Sequence, residues 1–519
     1  MKKIATLVTL LIVFQFSFAQ QNRFSKIYFD NIHDFSAEAI VKSFDGGLIV
    51  AGLHYYSSAV FKIDSMGAIV WAKKFGAFLG ENVNAIVRTQ DSCYVMAGKI
   101  NDTISGFQDI QITKFDKSGN LNWSKVILLP EMQEAYSLSS TTDNGFILSG
   151  YECSVTPPYC RILVSKLDST GEVQWLKTYE YDSFSCVAYS IKQTPDGGFA
   201  LVGTVDNSIS SSGILLKLSP NGNVEWTNLY NTTVQSVFNG KDLILTNDGI
   251  FSYHSSEVDL VLIKTDFNGI DFWDETITGA ITSYTTFNVI TPKIKLLSDG
   301  NLILATHDRG MPSRSSIVCL DSSGSINWCQ NIDNSVHDVE EADDHGYYIL
   351  GNGPSATSTP PYYDFVGIVK TDSLGNADFC TSINPSISLS LGNVIKSSIS
   401  LNVYTLPAVS TLLLPVVSDF FMLEMNACGD NISGIEEKVL QSIEIFPNPS
   451  GSNMNFRISG IIGNTCLQIS DLLGKIVYVN NYNIDSNYLI EIDHQLPSGL
   501  YNVSVSSIDK KIVAKFVVE

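Results

Sequence analysis

A ten-residue phrase, KLDSTGEVQW at 166–175, returns along this chain with small changes and fixes what the chain can become. It reads KIDSMGAIVW at 62–71, KFDKSGNLNW at 114–123, KLSPNGNVEW at 217–226, KTDFNGIDFW at 264–273, CLDSSGSINW at 319–328 and KTDSLGNADF at 370–379. Its glycines (Gly67, Gly119, Gly171, Gly222, Gly269, Gly324 and Gly375) lie 52, 52, 51, 47, 55 and 51 residues apart. All six tryptophans of the chain end a copy, and Phe379 takes that place in the seventh. The phrase has the residue types of a ligand site, but one ligand would then be bound seven times. A calcium loop would need more carboxylates within a dozen residues. An aspartate opening a tight turn and a glycine supplying positive φ explain it more simply.

Each repeat also carries an earlier phrase: DGGLIVAG (45–52), DSCYVMAG (91–98), DNGFILSG (143–150), DGGFALVG (196–203), DGNLILAT (299–306) and DHGYYILG (344–351). GKDLILTN (240–247) reads as a degraded fifth copy. Two apolar runs around an Asp-Gly-type turn make one hairpin, and the Lys-Asp phrase makes a second. Two hairpins give four strands. The runs are apolar at consecutive positions, which suits sheets covered on both faces. A period near fifty in an all-β pattern implies a seven-bladed β-propeller over residues 20–380, with repeats of about 51 residues. RFSKIYFD (23–30) resembles the strand that begins at each tryptophan and is expected to complete the seventh blade, removing an exposed edge. Trp123 is expected to be largely buried between blades, and Gly52, Gly98, Gly150 and Gly203 to lie on an inner strand where blades converge.

The start, MKKIATLVTLLIVFQFSFAQQ, has a basic end, an apolar stretch and small residues at Ser17 and Ala19. That is the pattern of an export signal at 1–19, cleaved after Ala19. No second apolar run of spanning length follows, so no transmembrane segment is expected. With 32 Lys and Arg against 53 Asp and Glu the formal charge is −21, and no basic run occurs, which argues against nucleic acid as a partner. The nine cysteines are an odd number in an exported chain. Cys153 and Cys160 bracket a short loop and form the best local pair, with Cys380 and Cys428 as the second. No CxxC or histidine-rich spacing is present, so neither a metal nor a cofactor is expected.

Residues 441–519 resemble the type A C-terminal sorting domain of the type IX secretion system of Bacteroidota. EIFPNPS (444–450), LQISDLLGKIVY (467–478), LPSGLYNVSV (496–505) and KKIVAKFVV (510–518) carry the resemblance. Their alternating strands with Pro and Gly turns read as a small β-sandwich. The resemblance implies contact with the type IX secretion machinery, passage through the periplasm, removal of this domain, and release or attachment at the outer-membrane surface. The repeats are similar to uncharacterised secreted propellers that precede such domains. They are similar also to the docking motif of quinoprotein propellers, from which they depart in blade number and turn length. Residues 381–430 are apolar and β-branched and are expected to form a β-rich extension packed on the propeller, with 431–440 as a linker.

The connections between the two phrases vary in length, and variable loops on a rigid scaffold are where recognition usually sits. They carry Tyr55, Tyr56, Phe107, Tyr151, Tyr159, Tyr362 and Tyr363, with Glu81 and Asp364 as polar companions. Tyrosines stack on sugar rings and offer a hydroxyl. The reading is therefore an exported, monomeric propeller that binds a glycan or peptide at the face opposite the tight turns. The alternative is a secreted hydrolase or lyase at the channel mouth, with loop acids such as Glu81, Glu134 and Asp182. No GxSxG, HExxH, phosphate loop or Cys-His pattern supports that alternative, and no catalytic residue is assigned.

Overall fold

The structure is a computed structural model that describes residues 23–29, 33–76, 81–101, 107–155, 158–232, 237–256, 260–278, 293–305, 315–332, 335–353, 365–377, 388–391, 394–406, 409–413, 417–419, 422–426, 442–446, 453–459, 463–471, 475–484, 488–493, 496–506 and 511–518. Ala19, Tyr362, Tyr363, Asp364, Phe379, Cys380, Cys428 and the linker at 431–440 lie outside them. The described chain is all β, and it divides into two compact units, Met1–Cys428 and Gly429–Glu519.

Among the described residues the first unit contains seven antiparallel sheets in chain order, six of them meanders of two hairpins and the seventh completed by a strand from the other end of the chain, consistent with a propeller-like fold. In the third sheet the strands are Met132–Ser140, Phe146–Val155, Pro158–Leu167 and Val173–Glu180. The second and third strands of a sheet are apolar on both sides: Leu48, Ile49, Val50, Ala51, Ala59, Val60 and Phe61 are all fully buried. Sheets stacked on both faces require this, and burial at about 25 cal/mol per Å² makes the seams between them the main source of stability. The first strand of each sheet packs on the first strand of the next, and that of the seventh (Ser335–Glu341) packs on that of the first (Phe35–Lys42).

The strand Phe24–Phe29 pairs with Phe365–Lys370 of the seventh sheet, so the sheet's fourth strand comes from the opposite end of the chain, where RFSKIYFD was expected. On its other side this strand pairs with Leu423–Asn426. That segment is the last of six short strands that add a fifth strand to the outer edge of successive sheets, in reverse order. Ser388–Leu391 joins the fifth sheet, Val394–Ser398 the fourth, Asn402–Thr405 the third, Val409–Leu413 the second and Val417–Asp419 the first. Starts at 388, 394, 402, 409, 417 and 423 recur about every seven residues. Seven extended residues span roughly 23 Å, enough to step from one outer edge to the next.

One expectation is corrected here. GKDLILTN is not the fifth copy of the earlier phrase: 240–246 belongs to the first strand, Phe238–Thr246, and the turn and second strand follow as DGIFSYHS at 248–255. Trp123 packs between the second and third sheets largely out of solvent, as expected, and the other five tryptophans have the same partial burial. Gly52, Gly98, Gly150 and Gly203 lie on second strands, inside their sheets, as expected of an inner strand.

The second unit has a three-stranded sheet (Ser442–Phe446, Asn453–Ser459, Tyr488–Asp493) and a four-stranded one (Ile476–Ile484, Gly463–Asp471, Gly499–Ser506, Lys511–Val518). Phe456 and Ile490 of the first and Leu467, Ile469 and Val503 of the second share one buried core.

Candidate functional site at the bulge end of the sheets

The tight turns hold no site. In the third repeat the Asp168 carboxylate accepts the Thr170 and Glu172 amides at 2.8 and 3.0 Å, and the other Asp copies do the same. Ser219 substitutes in the fourth. The turn glycines take φ between 72° and 93°, where a Cβ is strained. Each glycine also carries the tryptophan of the preceding repeat: a Cβ on Gly171 would lie 2.6 Å from the Trp123 ring, and on Gly222 2.9 Å from Trp175. At Gly67, which has no preceding repeat, Phe24 fills this role. The phrase lysine bonds the aspartate of the earlier phrase, as in Lys114–Asp91 (2.6 Å), Lys166–Asp143 (2.8 Å), Lys264–Asp248 (2.8 Å) and Lys370–Asp344 (2.6 Å). Lys62–Asp45 and Lys217–Asp196 match them, and Cys319 replaces the lysine in the sixth repeat. Phrase residues therefore bind one another.

The first strands behave differently. Six of them are bulged at one equivalent place, which inserts an extra residue: Glu38, Asn84, Tyr136, Tyr189, Lys241 and His337. The equivalent place in the sixth sheet lies outside the described residues. A glycine makes room for the bulge. A Cβ on Gly150 would lie 1.9 Å from the Glu134 carbonyl oxygen, and on Gly52 2.1 Å from that of Ser36. In the fifth sheet the glycine moves to the bulged strand as Gly240, and His254 stands opposite, buried, with its pKa pushed down to about 3.

Bulge residues of neighbouring sheets meet. His337 Nδ1 lies 2.9 Å from Glu38 Oε2. Asn84 donates to Glu134 Oε1 and to the Ala135 carbonyl, both at 2.8 Å. Tyr136 and Tyr189 stack at 5.4 Å and 17°, and Lys241 Nζ sits 4.8 Å over the Tyr189 ring. Burial raises both phenols, Tyr189 to about 12, so both stay neutral donors. One residue further on, side chains bond the next sheet's backbone: Ser137 Oγ accepts Ile191 N–H, Asp242 accepts Ile294 N–H, and Asp338 accepts Ile40 N–H.

The residues expected from sequence fall partly on this end. Tyr151 joins the bulge group, packing on Tyr136 at 5.5 Å and donating to Glu134 Oε2 at 3.0 Å. Tyr55 and Tyr56 form the turn between the first sheet's second and third strands, 47% and 61% exposed, with His33 4.1 Å from the Tyr55 ring. Tyr159 is a strand residue that donates to Glu180 at 3.4 Å beside Arg161, and Phe107 is half-buried at the start of Gln108–Asp116. Glu81 is corrected: it is 1% exposed and accepts the Ser58 amide, so it is a buried structural acid. Glu134 is likewise a buried strand residue, not a loop acid, while Asp182 is an exposed turn residue. Cys153 and Cys160 form a disulfide across Phe146–Val155 and Pro158–Leu167. Sequence reasoning missed Glu38, Asn84, Tyr136, Tyr189, Lys241 and His337, whose signal is a polar or aromatic residue three to five positions before the end of each first strand.

Among the described residues no group of His, Cys, Asp or Glu could hold a metal ion, and no helix is long and apolar enough to cross a membrane. A cleft of about 450 Å³ lies on the fourth sheet among Tyr181, Phe184, Asn207, Ser212 and Asn231, beside the connection between its second and third strands.

Residues 444–519 match the family described as the secretion system C-terminal sorting domain. This segment is a type IX sorting domain. It indicates export through the type IX machinery, to the cell surface or the medium. No curated protein matches the chain. Among solved structures, a protein of unknown function from Bacteroides caccae is similar at 13% identity and a TM-score of 0.35, covering 60% of this chain and 94% of that one. The tail fiber of Staphylococcus aureus phage P68 is similar at 8% identity and a TM-score of 0.24, covering 83% of each chain.

Proposed function

We propose that the seven sheets close into a seven-bladed β-propeller that binds a glycan or peptide at the end opposite the tight turns, after export and removal of the sorting domain. In this reading a Bacteroidota cell cleaves residues 1–19 after Ala19, and the mature protein acts as a monomer outside the cell. The cyclic packing of first strands supports closure, as do the Asp338–Ile40 bond (3.0 Å) between the last and first sheets and Phe24 standing in for a tryptophan at Gly67.

One observation carries the binding reading. At a single bulge position the backbone repeats while the side chain changes from Glu to Asn, Tyr, Tyr, Lys and His. A position conserved in geometry and varied in chemistry presents a composite surface, and its tyrosine pair offers the flat apolar face that a sugar ring stacks on. Tyr151 joins that surface from its strand, and Tyr55 and Tyr56 add an exposed turn. A glycan and peptide array probed with the exported protein, beside a hydrolysis screen on the same polymers, is the test. Binding that is lost in Tyr136→Ala and Tyr189→Ala, with no turnover, is expected. Unaltered binding in both variants, or turnover of a bound polymer, refutes the proposal.

A further inference from the structure

The first strands carry a cationic sector that runs against a chain of formal charge −21. Lys192 lies on the first strand of the fourth sheet, Lys241 on that of the fifth, and Lys293 and Lys295 at that of the sixth. The carboxylates nearby are already committed. Asp242 accepts the Leu243 and Ile294 amides at 2.8 and 3.0 Å, and Asp338 accepts those of Val339 and Ile40 at 2.9 and 3.0 Å. Lys295 is taken by Glu340 at 3.1 Å and Asp338 at 3.7 Å.

Lys192 is not neutralised in this way. Its ammonium donates to the Ser139 hydroxyl at 3.1 Å, and among the described residues no carboxylate forms an ion pair with it. Burial lowers its pKa, and Lys295 and Lys293 push in the same direction against the opposing pull of Asp242 and Asp338. Lys192, Lys241, Lys293 and Lys295 against Asp242, Asp338 and Glu340 leave one positive charge in excess in a partly enclosed space, which favours a single anionic group. Three residues before Lys192 on the same strand stands Tyr189, stacked on Tyr136 and capped by Lys241. Cations beside an aromatic platform select a flat, singly charged, hydroxyl-bearing ligand. Glu134, on the first strand of the neighbouring third sheet, repels a dianion such as phosphate.

We propose that this sector is the anion subsite of the binding surface described above, and that it takes a uronic acid residue of an acidic polysaccharide. The carboxylate sits among Lys192, Lys241 and Lys293, and the ring lies along Tyr136 and Tyr189. The inference rests on the binding reading and narrows it to one ligand class.

Titration calorimetry on the full chain with trigalacturonate and with neutral galactotriose tests it. The acidic trimer should bind at least about tenfold more tightly, the range expected for a charge-assisted contact, and its affinity should fall as salt rises. Lys192→Met and Lys241→Met should each weaken trigalacturonate about tenfold with the melting temperature held. Should Lys192→Met fail to fold, Lys241→Met and the salt dependence decide. Equal affinity for the two trimers, no binding of the acidic one, or binding untouched in a folded Lys241→Met variant overturns the inference. Neutral or peptide ligands found on the array would then leave the broader binding reading standing.

Discussion

The two ends of each sheet follow different rules. At the turn end, aspartate, glycine, lysine and tryptophan recur because each contacts another member of the same set: carboxylate to amides, lysine to aspartate, indole to the next glycine. At the bulge end only the backbone recurs, and the inserted residue differs in charge, size and hydrogen-bonding from sheet to sheet. Repetition therefore marks what the architecture needs, and its loss under constant geometry marks what the architecture leaves free for recognition. The phrase that looks most like a ligand site is the one that does not serve as one.

The largest expected effect tests the glycine that makes room for a bulge. Gly150→Val drives a side chain into the Glu134 carbonyl and should cost more than about 3 kcal/mol by denaturant unfolding. Gly300→Ala, where a Cβ meets nothing within 4 Å and only positive φ is penalised, should cost about 1 kcal/mol. Similar losses at both sites would remove the distinction between crowding and backbone strain. Next, Trp123→Ala should cost about 2 kcal/mol, below the value for a fully buried tryptophan because part of the ring over Gly171 remains in solvent.

Acid should loosen the turn end before the bulge end. Although burial opposes it, hydrogen bonds from Lys166 and Thr141 hold Asp143 down at about 2, and those from Lys217 and Thr194 do the same for Asp196. A folded pKa below the ordinary 3.8 contributes stability that is present above pH 3.8 and is lost as pH falls towards 2. Thermal melts from pH 5 to 2 should show that decline, and Asp143→Asn should flatten part of it. At neutral pH the same substitution should cost less than about 1 kcal/mol, because the carboxylate is half-exposed. The smallest effect belongs to the bulge end: Tyr189→Phe should change stability by less than about 0.5 kcal/mol, as expected away from special structural features. A large loss there would mean that the bulge position is architectural after all.

Much of the repeat region is legible in the sequence because its signals are local. Asp168 and Gly171 are three residues apart, Cys153 and Cys160 seven, and each hairpin lies within one repeat. Phe24–Phe29 is legible by its likeness to the strands it joins. The rest is set by pairing. A bulge is two residues facing one, so Tyr136 looks like any strand residue until Gly150 is placed opposite its neighbour Ala135. The fifth repeat is obscure for the same reason: His254 stands where a glycine is expected, so the apolar run before Asp248 resembles the phrase more than the DG turn that follows it. The six outer strands pair not with one another but each with a segment between 100 and 400 residues earlier, so the turn residues Gly392, Asn393, Pro407 and Pro415 between them mark breaks without naming a partner, and only the spacing of about seven residues hints at the pattern.

Those outer strands have a mechanical consequence. The chain leaves the first unit through Leu423–Asn426, the last stitch of a seam sewn backwards along the sheet edges, and that stitch holds the strand Phe24–Phe29 from outside. Tension from the C-terminal side therefore falls first on four residue pairs, then on three against Ile69–Phe75, then on five against Leu121–Leu128. Loaded at its end, each short antiparallel strand unzips bond by bond, and each release pays out roughly 23 Å of chain. The seam is a rip-stitch: a protein held at a cell surface by its C-terminal side would lengthen in small steps under drag, and the stacked cores of the sheets would stay shut until the last stitch at Ser388–Leu391 had gone.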